Sequence, residues 1–188
     1  MAGIKRSKEA RRYAYTGRIE WASNLLNKIK PKGKIVGVEV GFWKGDFGKS
    51  MLDLNPRLHW IAVDPYEEYG KRKRKQPAWD AIYDKVEKKL SVHPKRFKFI
   101  RERSEKGVNK VPKGVDFVFI DGNHDYDAVV KDIRLYEKKV KRGGVLSGHD
   151  YHHKAVRDAV DEHVKRHKRE LHLEKDFDQC MVFWWRMP

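Results

Sequence analysis

Short apolar runs alternate along the chain with longer stretches in which apolar residues recur every three or four positions. The runs predict five strands, at 34–40, 59–64, 96–101, 115–121 and 143–149. The recurring positions predict helices, at 18–30, 45–54, 79–90, 129–140 and 155–168. Two last apolar runs, at 171–173 and 181–185, have no helical stretch between them and predict a hairpin.

Alternating strands and helices indicate an α/β protein, because each helix carries the chain back to begin another parallel strand. The run Val115–Ile120 is apolar at nearly every position, which is typical of a central strand covered on both faces. The sequence therefore predicts a doubly wound, Rossmann-like and mostly parallel seven-stranded sheet with a C-terminal antiparallel hairpin. We expect a basic N-terminal arm over residues 1–16 and a single domain over residues 17–188.

The net charge is strongly positive, +16 at neutral pH. Residues 1–34 contain ten lysines or arginines against two acids, and a second basic run, Lys71–Lys75, lies between two predicted elements. Such runs are the electrostatic pattern of a protein that binds nucleic acid or another polyanion. They are equally typical of a solubilising surface rich in ion pairs, so charge alone leaves both interpretations open.

The sequence also bears on the compartment. It has no apolar run near the roughly 20 residues that a membrane span requires. Its first residues are basic, but the apolar segment of a secretory signal does not follow them. Cys180 is the one cysteine, so an internal disulfide has no second partner. We therefore expect a cytoplasmic protein with no membrane partner.

Two neighbouring strands of the predicted sheet deliver acids at their ends. Glu39 and Gly41 close the first strand, Gly45 begins the helix after it, and Asp64 closes the second strand. A glycine turn lets a ligand approach the backbone, and an acid at the second strand end can accept hydrogen bonds from ribose hydroxyls. This pair predicts a nucleoside-binding crevice. The alternatives are an ordinary strand-to-helix turn and, because Pro65 follows Asp64, a simple turn acid.

Two longer motifs carry a resemblance to a known family. Residues 119–126 are Phe-Ile-Asp-Gly-Asn-His-Asp-Tyr, and residues 143–151 are Gly-Gly-Val-Leu-Ser-Gly-His-Asp-Tyr. With Glu39–Gly41, Asp64 and the terminal hairpin, they resemble the class I S-adenosylmethionine-dependent methyltransferases. Within that class they resemble a group of small enzymes in which an Asp-Gly-x-His-x-Tyr strand end is followed by a His-Asp-Tyr strand end. The resemblance covers residues 33–188.

The resemblance and the glycine turn together predict contact with the cofactor S-adenosyl-L-methionine for seven positions: Glu39, Gly41, Trp43, Gly45, Asp64, Ser104 and Asp121. Glu39 and Gly41 would line the methionine end of the cofactor. Asp64 would bind the ribose, and Ser104 would lie near the adenine. Trp43 would pack against the ligand or, alternatively, wedge between helix and sheet. Asp121 would lie where the cofactor meets the methyl acceptor.

Four polar residues at the ends of the fourth and fifth strands form the candidate chemical cluster: Asp121, His124, His149 and Asp150. If these strands are adjacent, their ends bring the four side chains together. Two carboxylates with imidazole can bind a divalent cation, and we predict Asp121 and Asp150 as ligands of Mg²⁺. Without a metal, His149 or His124 could serve as general base. The alternative is that the histidines only connect the strand ends through hydrogen bonds.

The combined pattern predicts transfer of the methyl group to an oxygen atom of a small-molecule acceptor that carries a hydroxyl, with or without a divalent metal. The alternative that the basic arm and Lys71–Lys75 favour is a nucleic-acid methyltransferase, or a non-catalytic nucleic-acid-binding protein on the same scaffold. A nicotinamide-linked oxidoreductase is disfavoured, because Gly41, Gly45 and Gly48 do not have the Gly-x-Gly-x-x-Gly spacing.

Overall fold

Strands and helices alternate through the described residues, 8–68, 75–176 and 181–188 of a computed structural model, with side chains described from residue 17 onward. The helices are α1 (Lys8–Ile29), α2 (Asp46–Leu54), α3 (Gln76–Leu90), α4 (Ser104–Gly107), α5 (Tyr126–Glu137) and α6 (Lys154–His167). The strands are β1 (Ile35–Val40), β2 (Leu58–Val63), β3 (Phe97–Ile100), β4 (Val115–Ile120), β5 (Val140–Gly148), β6 (His172–Lys175) and β7 (Met181–Arg186).

The strands form one seven-stranded sheet in the order β3-β2-β1-β4-β5-β7-β6. Strands β1 to β5 pair in parallel, and β7 runs antiparallel to both β5 and β6. The predicted α/β, doubly wound, Rossmann-like fold with a C-terminal hairpin is therefore confirmed. The chain reverses its direction of travel across the sheet between β1 and β4, and ligands bind beyond the carboxyl ends of the strands at such a switch point.

Helices cover both faces of this sheet. On one face, α1, α2 and α3 bury Leu26, Met51 and Trp79 against the sheet. On the other face, α5 and α6 bury Ile133 and Val160. All six residues of β4 are buried, which is why its sequence is almost continuously apolar. The rigid two-sided core holds the strand ends, and so the loops that follow them, in fixed positions.

Three boundaries differ from the sequence prediction. The first helix begins at Lys8 rather than at Arg18, because residues 8–16 are mostly good helix formers whose charges hide any apolar period. Strand β5 begins at Val140 rather than at Gly143, with a shift of register in its pairing to β4. The short helix α4, with a 3₁₀ turn after it, was not predicted, since it is too brief to show a period.

The two predicted basic segments fall largely outside the described residues. Residues 1–7 of the arm and Lys71–Arg74 of the second run are not among them. The helical residues 8–16 correct the predicted start of the first helix, while the division into an arm over 1–16 and a domain over 17–188 stays a prediction. Among the described helices, none is long and apolar enough to cross a membrane.

Candidate active site

A cavity of about 520 Å³ opens at the carboxyl ends of β1, β2 and β4. This volume lies within the range of small-molecule sites. All seven residues predicted to contact the cofactor line it: Glu39, Gly41, Trp43, Gly45, Asp64, Ser104 and Asp121. The structure therefore brings these seven residues together around one space, at the position where the strand order reverses.

Glu39, the next-to-last residue of β1, lines the cavity. Its side chain is buried, and its Oε2 accepts a hydrogen bond of 2.9 Å from the indole nitrogen of Trp60. Burial raises the pKa of Glu39 well above its ordinary value, an effect that the Trp60 hydrogen bond opposes. The carboxyl is thus held in one orientation by a neighbouring strand and can accept or donate a hydrogen bond to a polar ligand group.

Gly41 follows β1 with φ of 85°, a left-handed conformation that favours glycine. A Cβ atom at this position would lie 2.3 Å from the carbonyl oxygen of Asp121 and 2.4 Å from the Cα of Gly122. The absence of a side chain therefore lets the ends of β1 and β4 meet beneath the cavity. Gly45, with φ of 68°, makes the second turn and begins α2.

Asp64 holds the loop after β1 in place. Its Oδ2 accepts hydrogen bonds from the backbone N–H groups of Phe42 at 2.8 Å and Trp43 at 3.1 Å. Its Oδ1 accepts one from the N–H of Tyr66 at 2.9 Å, and the Tyr66 hydroxyl donates to the carbonyl oxygen of Trp43. Asp64 also lines the cavity, so the carboxylate that fixes this loop lies where a ribose hydroxyl could reach it.

Backbone strain is concentrated at the carboxyl edge of the sheet. Outside glycine, positive φ angles in the described residues occur at Trp43 (48°), Tyr66 (45°), Asp150 (60°) and Lys168 (51°). Lys168 ends α6, where the left-handed conformation is common. The other three residues follow β1, β2 and β5, and each costs about 1–3 kcal/mol that the surrounding structure must offset. Such strain is typical of functional sites.

Trp43 contacts the cavity rather than wedging between helix and sheet. Its side chain is 37% exposed at the rim, and its ring meets the buried ring of Trp79 edge-on at 5.7 Å. The Lys44 ammonium lies 5.9 Å from the centre of the Trp43 ring. The strained backbone and Trp79 therefore hold the indole at the rim of the cavity.

The opposite end of the cavity is formed by residues that follow β3 and β4, where α4 and α5 begin. Ser104 begins α4, and the carbonyl oxygen of Ser104 accepts a hydrogen bond of 3.0 Å from the Tyr136 hydroxyl. Asp132, which the sequence analysis did not single out, reaches this end from α5. It lies on the buried stripe of α5 between Val129 and Ile133, and a polar residue on an apolar stripe is the signal that could have identified it.

A second group of side chains, which we name the charged cluster, lies at the edge of the cavity beyond β4 and β5: Arg18, Asp121, His124, His149, Asp150 and Asp176. The Nε2 atom of His124 lies 3.0 Å from Asp150 Oδ2 and 3.8 Å from Asp121 Oδ1. All four residues of the predicted chemical cluster therefore come together. Asp121 and His124 line the cavity itself, and Asp150 contacts His124.

Arg18 and Asp176 complete the charged cluster from the two distant ends of the chain. The Arg18 guanidinium, on α1, lies 3.5 Å from Asp121 Oδ2 and 3.8 Å from Asp176 Oδ2. Asp176 follows β6 and is buried. Neither residue is predicted from the sequence to lie in the site, because nothing local in the sequence indicates that α1 and the hairpin meet above the strand ends.

The histidines of the charged cluster are held between carboxylates. His149 has Nδ1 at 3.3 Å from Asp150 Oδ1 and Nε2 at 3.3 Å from Asp176 Oδ2. Although burial opposes it, these hydrogen bonds raise the pKa of His149 to about 9. The nearby carboxylates of Asp121 and Asp150 likewise raise the pKa of His124 to about 9. Both imidazoles are therefore protonated at neutral pH, and they lower the pKa of Asp150 against the effect of its burial.

The charged cluster, as far as the structure describes it, contains three cations and three carboxylates. The cations are Arg18, His124 and His149, and the carboxylates are Asp121, Asp150 and Asp176. One ligand atom from each of Asp121, His124 and Asp150 lies within 4.8 Å of the other two, an arrangement that could hold a metal ion. His124 is therefore a third candidate ligand, with a nitrogen donor, beside the predicted ligands Asp121 and Asp150. Whether any of the four acts in catalysis stays a prediction.

Comparison with known proteins places this geometry in a family. A sequence profile described as "Methyltransferase domain" matches residues 38–151, which include both strand ends of the cofactor pocket and the charged cluster as far as Asp150. A relative in Acanthamoeba polyphaga mimivirus, an uncharacterized protein, is 28% identical over 133 residues. That match covers 68% of this chain, and the chain spans only 56% of the relative's length.

Solved structures show the same fold at low identity. The O-methyltransferase NovP superposes with a TM-score of 0.69 and 15% identity, over 90% of this chain and 79% of that one. An rRNA methylase from Streptococcus thermophilus superposes with a TM-score of 0.66 and 15% identity, over 99% of both chains. A candidate methyltransferase from Streptococcus mutans, in complex with SAH, gives a TM-score of 0.65 and 13% identity, over 89% and 96%.

Proposed function

Because the chain belongs to the methyltransferase-domain family, we propose that it is an S-adenosylmethionine-dependent methyltransferase and that it methylates an oxygen atom of a small acceptor that carries a hydroxyl. The observation that carries the proposal is the convergence of Asp121, His124 and Asp150 at the edge of the cofactor cavity. The similarity to the O-methyltransferase NovP supports the choice of oxygen.

The cofactor would lie along the cavity with its ribose hydroxyls on Asp64 and its methionine end over Glu39 and Gly41. The sulfonium methyl is already electrophilic, so the protein has to align the acceptor, exclude water and accept one proton. Trp43 and Trp79 would exclude water at one rim. The methyl group would then point toward Asp121, at the boundary with the charged cluster.

A divalent cation fits the donors that the chain offers. Asp121, His124 and Asp150 supply two carboxylates, which suit Mg²⁺ or Mn²⁺, and one imidazole, which suits a transition metal better than Mg²⁺. When bound, such a cation would lower the pKa of the acceptor hydroxyl and orient its oxygen. His124 would have to lose its proton to serve as a ligand, and Asp121 would have to share its second oxygen with Arg18.

The protonated state of the histidines disfavours a metal-free general base. With pKa values of about 9, His124 and His149 already carry the proton that such a base would need to accept. In a metal-free enzyme protonated His124, which lines the cavity, would donate a hydrogen bond to the acceptor oxygen, and Asp121 would accept the hydroxyl proton. Treatment with EDTA distinguishes this route from the metal-assisted one.

Calorimetric titration with Mn²⁺ tests the metal part of this proposal. Asp150→Asn removes one charged ligand, so we expect the affinity for Mn²⁺ to fall by roughly 10- to 100-fold. Asp125→Asn is the matched control. Asp125 is an exposed acid nearby at the N-cap position of α5, and asparagine is an equally suitable residue at that position. Equal affinity in wild type and Asp150→Asn would contradict the metal site.

A test of the acceptor uses radiolabelled S-adenosylmethionine with catechol, which offers two adjacent hydroxyls, and with the matched aromatic amine aniline. We expect label on catechol, lost after treatment with EDTA and restored by Mg²⁺. Label on aniline alone, or label on catechol that EDTA leaves unchanged, would contradict metal-assisted O-methylation.

A nucleic-acid acceptor is the second candidate, and the rim of the cavity favours it. Four cations, Arg18, Lys44, Arg103 and Lys131, line the cavity, and Trp43 offers a partly exposed ring on which a base could stack. Binding of an RNA oligomer that weakens steeply with salt and is reduced by Trp43→Ala would support this candidate. Binding that Trp43→Ala leaves unchanged would limit nucleic acid to the general basic surface.

A further inference from the structure

Asp150, His152 and His153 lie together between β5 and α6, in a segment that we name the histidine loop (Asp150–His153). One ligand atom from each of the three lies within 4.8 Å of the other two. The rings of His152 and His153 have their centres 4.6 Å apart, and His152 Nδ1 lies 3.7 Å from Asp150 Oδ1. That separation is too long for a hydrogen bond, whereas two donors of a tetrahedral zinc ion, each about 2.1 Å from it, lie about 3.4 Å apart. The spacing therefore fits donors around a single ion.

Hydrogen bonds hold the histidine loop in a fixed shape. The His153 N–H donates to the Asp150 carbonyl oxygen at 2.8 Å, which closes a turn, and the Tyr151 N–H donates to the Met181 carbonyl oxygen at 3.1 Å. The Tyr151 hydroxyl donates to Asp161 Oδ1 at 2.6 Å. The loop is thus attached both to β7 and to α6. Because donors that are already in place lose little conformational freedom on binding, these contacts favour capture of an ion.

Helix capping does not account for the histidine at position 153. His153 is the N-cap residue of α6, a position where Asn, Asp, Ser and Thr are favoured because their side chains bind the first backbone N–H groups. In the part of the chain that the structure describes, the His153 side chain makes no such hydrogen bond. The His152 side chain is 37% exposed and His153 is exposed as well, so an ion can reach both imidazoles from solvent.

The histidine loop adjoins the charged cluster and shares Asp150 with it. Asp150 Oδ2 lies 3.0 Å from His124 Nε2. Asp150 Oδ1 lies 3.3 Å from His149 Nδ1 and 3.7 Å from His152 Nδ1. An ionised carboxylate offers about four lone pairs on its two oxygens, so Oδ1 can bind an ion in the loop while Oδ2 keeps its contact with His124.

We propose that Asp150, His152 and His153 bind a transition-metal ion of the zinc class, at a site separate from the proposed Mg²⁺ or Mn²⁺ site in the charged cluster. Two imidazoles and one carboxylate are a recurring donor set of zinc sites, whereas Mg²⁺ prefers oxygen donors. Three protein ligands leave the fourth position of a tetrahedral ion to water or to an anionic group. This site requires neither S-adenosylmethionine nor a methyl acceptor, so its test is independent of the proposed function.

The test is calorimetric titration of Zn²⁺ into full-length protein that has been treated with EDTA and dialysed. An Asp121→Asn background removes a ligand of the charged cluster, so that Zn²⁺ bound by the histidine loop is measured by itself. We expect this background to bind Zn²⁺. Adding His153→Gln should weaken the binding by at least about 10-fold, since even groups that only position a metal ligand are worth roughly 10- to 100-fold. Adding His152→Gln as well should abolish measurable binding.

His167→Gln in the same background is the matched control. It is the same change at an exposed position in the last turn of α6. The His167 ring lies 4.4 Å from that of His163, so these two histidines are a rival pair of ligands one helical turn apart. The control should keep the Zn²⁺ affinity of the background. Loss of Zn²⁺ binding in the control would assign the ion to α6 and overturn the proposal.

Other results would also overturn the proposal. Equal Zn²⁺ affinity with and without His153→Gln would mean that this imidazole is not a ligand. Absence of Zn²⁺ binding to wild type, or binding that Asp121→Asn alone removes, would leave no separate site in the histidine loop. Urea unfolding checks the variants: without metal, the midpoint should not change, because His152 and His153 are both exposed. Zn²⁺ should raise the midpoint of the background, and an equal rise in the variant that lacks both histidines would contradict the site.

Discussion

Backbone groups shape the cofactor half of the cavity, whereas charged side chains shape its acceptor half. In the cofactor half, Gly41 lets two strands meet, and Asp64 binds the N–H groups of Phe42 and Trp43. In the acceptor half, Arg18 and Asp176 reach the strand ends from α1 and from the hairpin. The first half depends on consecutive strands, and the second depends on the two ends of the chain.

This difference matters for what each half can do. A pocket defined by backbone geometry binds the same ligand in many proteins of one fold, because the turn and strand ends recur with the fold. A cluster of six balanced charges can change its proton content, bind a cation or exchange an ion pair. We therefore propose that the first half binds the shared methyl donor and that the second half carries the individual acceptor chemistry.

The substitution with the largest expected effect disrupts the cofactor half of the cavity. Gly41→Ala would place a Cβ 2.3 Å from the Asp121 carbonyl oxygen in a left-handed conformation. Strain and overpacking together should lower the free energy of unfolding by about 3–5 kcal/mol and abolish measurable binding of S-adenosylhomocysteine. Gly33→Ala is the control, since Gly33 has φ of 79° but nothing within 4 Å of its added Cβ.

The control variant should lose only the cost of the left-handed conformation, about 1–2 kcal/mol, and should keep ligand binding. Urea unfolding and calorimetry measure both quantities. If Gly41→Ala and Gly33→Ala proved equally stable, the close approach of β1 and β4 would not be what requires Gly41.

A change of pH is expected to have an intermediate effect, and it acts on the stability that the acceptor half contributes to the folded protein. The pKa of His149 is raised from 6.5 to about 9, so protonated His149 stabilises the folded protein fully below about pH 6.5. This contribution, about 2–3 kcal/mol, is lost as pH rises through about 9. Urea unfolding in the presence of EDTA should therefore show falling stability over this window.

His149→Gln should flatten the decline, because glutamine does not titrate. The cofactor half has no comparable requirement for a proton on a histidine, so S-adenosylhomocysteine binding by this variant should stay within about threefold of wild type. Parallel pH profiles for wild type and His149→Gln would contradict the location of the proton on His149.

The smallest expected effect concerns the ion pairs that join α1 to the hairpin. Arg18→Gln removes contacts of 3.5 and 3.8 Å with Asp121 and Asp176 and should cost about 1 kcal/mol of stability. Arg166→Gln, which removes an exposed pair with Glu162 on α6, should cost less than about 0.5 kcal/mol. Urea unfolding of both variants would sharpen the comparison, and a larger loss for Arg166→Gln would contradict it.

The sequence predicts the sheet and the cofactor half well for the same physical reason. Apolar runs such as Val115–Ile120 mark strands, and the residues at strand ends must meet at one edge once the strands are parallel. The sequence alone therefore predicts that Glu39, Gly41 and Asp64 line one pocket. The predicted edge position of Asp121 follows from the same argument.

The remaining features depend on contacts between distant segments. Arg18 belongs to a helix whose position above the sheet no local period reveals, and Asp176 lies in a hairpin connection with several acids. The protonation of His149 depends on Asp176 and so could not be predicted without it. Asp132 did leave a signal, a carboxyl on an apolar stripe, which the helical period alone could have exposed.

Calorimetric binding of S-adenosylhomocysteine to wild type, Asp64→Asn and Asp150→Asn tests the division of the cavity most directly. Wild type should bind one molecule. Asp64→Asn loses one charged acceptor for two loop N–H groups and for ribose, and should bind roughly 30- to 100-fold more weakly. Asp150→Asn should stay within about threefold of wild type. Absence of binding to wild type, or a larger loss in Asp150→Asn than in Asp64→Asn, would contradict the account.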